Sequence, residues 1–87
     1  MKRYWFDFAI ENISGYPPGI GLGCGVTAYN YDDAIQILKE KLFKSIPIPA
    51  IIKCIENVDV NELDQGHVIP NMKSPRERGI WFPFIYE

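Results

Sequence analysis

The chain has 87 residues, of which 47% are hydrophobic and 14% aromatic, and its formal net charge is −2. That length corresponds to a single domain over residues 1–87, and that composition excludes a disordered chain. The slight acidity argues against a nucleic-acid partner, because such binders concentrate Lys and Arg.

No stretch reaches the length of a membrane span, so no membrane is expected as a partner. Asp7 interrupts any apolar leader near the start, so the expected location is the cytoplasm. Cys24 and Cys54 form no CxxC and stand at no zinc spacing with His67. Two buried free thiols are expected, with a disulfide as the alternative.

Residues 2–10, KRYWFDFAI, alternate: Tyr4, Phe6, Phe8 and Ile10 point one way, Trp5 and Asp7 the other. This is a strand pattern. Residues 11–19 hold Pro17 and Pro18 between glycines and read as a loop. In residues 19–30, Ile20, Leu22, Cys24 and Val26 alternate with Gly19, Gly21, Gly23 and Gly25. If extended, one face is apolar and the other bare backbone, and a large flat ring such as Trp5 or Trp81 fits against the bare face.

Residues 31–44 are the one clear helix. Asn30 is a good N-cap, and Asp32 and Asp33 favour the positive helix end. Tyr31, Ala34, Ile35, Leu38 and Leu42 form the core-facing stripe, with Ile37 and Phe43 half covered beside it. Pro47 and Pro49 end the helix. Residues 50–58 are rich in isoleucine and read as a strand, with a short helix as the alternative. Residues 59–66 read as one helical turn, since Asp59 precedes Glu62 at capping-box spacing and Gly66 can close it. A short strand at 67–69, a polar loop and a last strand over 79–86 complete the order.

The pattern predicts an α+β fold: a mostly antiparallel sheet of four to five strands with one main helix packed on one face. The first and last strands mirror each other, so they are expected side by side, with Phe6, Phe8, Leu38, Leu42, Phe82 and Phe84 in one core. Pro83 lacks an N–H, which places the last strand at an edge or at a bulge. Trp5, Trp81 and Ile85 then lie on the other face, which is either a contact patch or covered by the loops 11–19 and 70–79.

Several chemistries are excluded. The glycines of GIGLGCG open no helix and follow prolines, so they make no dinucleotide turn, and there is no GK[ST]. The acids Glu56, Asp59, Glu62 and Asp64 lack the order of a Ca²⁺ loop. No catalytic set, cofactor or metal is expected, and the chain is read as a non-enzyme. Those four acids, however, suit docking to a basic protein, with Trp5 and Trp81 as a second candidate contact. Lys73, Arg76 and Arg78 form a basic loop too small for nucleic acid.

The stretch VDVNELDQGHVIPNM, followed by RGIWFP, resembles small uncharacterised bacterial proteins, some of which look like immunity proteins of toxin systems. The segment AYNYDDAIQIL extends the resemblance less surely. It implies a binding protein and carries no catalytic residues. The leading expectation is therefore a small cytosolic protein-binding module, in its most concrete form an immunity protein neutralising a toxin domain. The alternatives are a small-molecule binder or minor enzyme using His67 with Asp64 and Arg78, and a structural or oligomerising domain. A homodimer through an edge strand or the aromatic face is also left open.

Overall fold

The alternation near the start becomes β1, Lys2–Phe8, in a computed structural model that describes residues 1–9, 22–44, 46–63 and 65–83. The expected loop 11–19, the first glycines of the row, Asp64, Phe84, Ile85 and Tyr86 lie outside the described residues. β2 is Cys24–Ala28, α1 is Tyr31–Ile37, β3 is Ile51–Glu56 and β4 is Gly79–Phe82. The sheet is four-stranded and antiparallel, in the order β3-β1-β2-β4. The fold is α+β, as the pattern predicts. The terminal strands, however, are not neighbours: β4 pairs with β2, and β1 is central.

Asn30 caps the helix as expected, its side-chain oxygen accepting the Asp33 N–H at 2.8 Å. Past Ile37 the helix widens into a π segment, Leu38–Leu42, closed by the Phe43 N–H donating to the Leu38 carbonyl at 2.8 Å. A π turn rotates less per residue than an α turn, so Phe43 stays over the sheet. Phe43 and Ile37 are buried rather than half covered, while Tyr31 is 43% exposed. The Tyr31 ring lies edge-on to Tyr4, with centroids 6.4 Å apart.

The helix-side core joins Tyr4, Phe6 and Phe8 of β1 and Cys24, Val26 and Ala28 of β2 to Ala34, Leu38, Leu42 and Ile80. Phe82 does not join it. Gly25 is opposite Phe82 and Val26 is opposite Ile80, so Trp81 is an extra residue on β4. This bulge turns Trp81 and Phe82 to the same face, away from the helix. There they pack with Trp5, Val58 and Val68 in a second core. β4 does lie at the edge of the sheet, as Pro83 requires.

That second face is closed by a strap, residues 58–75. Val58 and Val68 are buried in it, and Val60, Leu63 and Met72 pack alongside. Pro75 accepts a hydrogen bond from Thr27 Oγ1 at 2.6 Å, and Lys73 N–H donates to the Trp81 carbonyl at 2.8 Å. The polar loop is thus part of the cover, as is the segment before it; the other candidate cover, loop 11–19, lies outside the described residues. The strand expected at 67–69 is instead a turn leading into a 3-10 turn, Ile69–Asn71. Both sheet edges are already set by β3 and β4, and Val68 is used as a plug rather than a ladder residue. Residues Val60–Glu62 form the helical turn expected there, of the tighter 3-10 kind.

Candidate functional site

The glycine row explains why both indoles are buried. At Gly23, where φ is 114°, a Cβ would come within 2.7 Å of Trp5 Cε2, and at Gly25 within 2.5 Å of Trp81 Cζ2. Each indole lies where a side chain would otherwise stand. The two ring centroids are 5.9 Å apart, and Trp5 also faces Phe82 at 5.6 Å. Trp5 is 5% exposed and Trp81 1%. The expected open aromatic patch is therefore absent: the strap covers it, and neither ring offers surface to a partner or a second copy.

The charged residues lie elsewhere. β3 was read as an apolar strand, but Ile52, Lys53, Cys54 and Glu56 are exposed, and Ile52 reaches 68%. The reason is position, since β3 is an edge strand. Only Ile51 and Ile55 of this strand pack against the cores. Cys54 is accordingly exposed, against the expectation of two buried thiols, and both cysteines are free. Burial, then the charge of Glu56, push the Cys54 thiol up, and burial alone pushes Cys24 well above the usual thiol range. Raised thiols are the reverse of what a nucleophilic cysteine needs.

Beyond Glu56 the chain reverses at Asn57, φ 58°, and enters the strap. Asp59 accepts the Asn61 N–H at 3.0 Å, while the Glu62 N–H donates to the Asp59 backbone carbonyl at 2.9 Å. Glu56, Asp59 and Glu62 are all exposed and follow one another along the chain as it leaves the edge strand, a segment we call the acidic shoulder. Asp64, the fourth acid of this set, lies outside the described residues. Glu56 is bridged by Lys2, both side chains about half exposed. The hydrogen bond to Glu56 is the main cause raising the Lys2 pKa. Pairs this exposed hold weakly and exchange partners readily. Beside the shoulder, Met1, Arg3, Asn57 and Val58 line a shallow open cleft of about 200 Å³.

Of the alternative set of His67, Asp64 and Arg78, Arg78 is engaged by another acid, Asp33. Arg78 is on the helix side of the loop, with both guanidinium ends on Asp33 (Nε to Oδ2 2.9 Å) and its plane 5.7 Å from the Tyr29 ring centre. His67 is exposed on the strap, its backbone carbonyl accepting from Asn71 Nδ2 at 2.8 Å. Asp64 lies outside the described residues. Among the described residues no group of three His, Cys, Asp or Glu side chains could hold a metal, and no helix is long and apolar enough to cross a membrane.

Comparison with protein-family models, curated proteins and solved structures finds no match to this chain. Function therefore rests on the site itself. Its strongest features are the acidic shoulder, legible in the sequence, and the exposed edge beside it, which was not. A Lys in the middle of an isoleucine run is the one sequence signal that could have marked the edge, because charges are used to protect strand edges.

Proposed function

We propose that this chain is a protein-binding module whose contact surface is the acidic shoulder of Glu56, Asp59 and Glu62. The finer reading is a cytoplasmic immunity protein that blocks a basic toxin domain. The observation that carries it is the exposure of all three acids in one short reversal of the chain, next to a strand edge that no described strand pairs. Domains that act on nucleic acid tend to have basic clefts, and a rigid acidic projection can fill one and repel the substrate's phosphates. The resemblance of residues 58–72 and 78–83 to small bacterial proteins, some of which look like immunity proteins, supports the same reading.

The test is stopped-flow association with the protein encoded beside this chain, at low and high salt. Steering by the shoulder accelerates encounter by about 10–10³-fold and falls as salt shortens the screening length. The Asp59→Lys, Glu62→Lys double variant is expected to slow association at low salt, while its folding cost is limited to loss of the exposed Asp59 cap, about 0.5–2 kcal/mol. Rates indifferent to both salt and charge reversal would overturn the proposal.

A further inference from the structure

The sheet has two edges, and the fold treats them differently. β4 is short, bulged at Trp81 and ended by Pro83, and its Trp81 carbonyl is taken by the Lys73 N–H at 2.8 Å. Among the described residues β3 has no such cover. Among the described residues no strand pairs with its outer side, and Ile52 is 68% exposed there. Its protection amounts to Lys53 and a register shift at Ile52, which lies between the residues paired with Asp7 and Phe8. From Lys53 to Glu56 the ladder is regular, and it runs directly into the acidic shoulder.

We propose that the outer edge of β3 receives an extended, basic segment of the protein partner as a fifth strand. This rests on the reading of the shoulder as the contact surface and names how the partner meets it. Main-chain hydrogen bonds along β3 supply a sequence-independent grip, and alternate side chains of the incoming strand meet Ile52 and the acids. The charge of the occupant follows from what flanks the edge. Glu56, Asp59 and Glu62 stand at one end, and Lys2 bridges to Glu56. An antiparallel second copy would bring to that end the start of its own β3, Pro49, Ala50 and Ile51, which has no positive charge. A strand carrying Lys or Arg supplies it.

The experiment is an amide NMR titration of the whole chain with short end-blocked peptides: one alternating Lys and Val, and its Glu-for-Lys counterpart. The Lys peptide is expected to shift residues 51–56 together with 59–62 and to slow amide exchange along β3, while the Glu peptide does neither. Ile52→Lys, at a solvated position that leaves the fold intact, is expected to weaken Lys-peptide binding about two- to fivefold, the scale of one cross-strand pair. Shifts confined to 59–62 would overturn the added strand and leave the shoulder standing. No shift with the Lys peptide, or an equal response to the Glu peptide, would also overturn it, and the association rates above then decide the shoulder separately. A free chain that sediments as a dimer with β3 amides already protected would overturn it in favour of self-pairing.

Discussion

Two glycines hold the strap side of the sheet together by lacking side chains. Gly25→Ala places a methyl group inside the Trp81 ring, and overpacking of that kind costs about 1–3 kcal/mol. A chemical denaturation midpoint should fall accordingly, and Trp81→Phe in the same chain should recover part of the loss by vacating the overlap. Among the described residues the buried Trp81 Nε1 has no hydrogen-bond partner, so that replacement also removes an N–H unpaired there. On the helix side Asp33 has a comparable anchoring role. The Arg78 hydrogen bond first, and the Tyr29 N–H second, lower its carboxyl from 3.8 to about 2. The folded value lies below the unfolded one, so this stabilisation is complete above about 3.8 and disappears as pH falls through about 2. Asp33→Asn should therefore be less stable than the parent at neutral pH. The gap between their melting temperatures should close across that acid window. A gap that stays constant with pH would show that the carboxylate charge is not what the pair uses.

At the level of elements, the bulge at Trp81 divides the interior into two cores. Phe82→Ala should cost about 3–5 kcal/mol, as for a buried aromatic, but through the strap-side core. Leu38→Ala acts in the helix-side core, so the double variant should be additive within about 0.5 kcal/mol. A coupling well above that value would mean the two cores behave as one. The alternation of β1, the capped helix and the ring-accepting glycine row were all legible, because period and side-chain size are written directly in the residues. The position of the bulge was not, since Pro83 signals an edge or a bulge without deciding between them, and a period-2 reading cannot place the inserted residue at Trp81. Nor was the π turn, which differs from an α turn by one hydrogen-bond step. The cover was legible only in part: the loop 70–79 was one candidate for it, but Val58, Val60, Leu63 and Val68 follow no period and bind through single side chains. Of the candidate site, the three described acids are exposed as a docking surface requires. The tryptophans lie on the face away from the helix, as the alternation indicates, and of the two readings of that face, contact patch or loop cover, the structure has the cover.

For the molecule as a whole, β4 serves both cores at once. Removing residues 80–87 takes Ile80 from the helix side and Trp81 and Phe82 from the strap side. Each such side chain contributes about 1.5–3 kcal/mol of burial, against a total stability of about 5–15 kcal/mol for a domain. The shortened chain should lose its cooperative thermal transition, and a sharp melt would show that the ending is dispensable. The two tryptophans also make the strap side optically distinct. Both lie in that layer, 5.9 Å apart, whereas the helix side has tyrosine and phenylalanine alone. Light at the red edge of the protein's ultraviolet absorption is therefore taken up on one face of the sheet only. Emission excited there, and the near-ultraviolet dichroism of the indole pair, will follow the lifting of residues 58–75 while remaining blind to the helix. The chain thus carries its own spectroscopic label for one half of its interior.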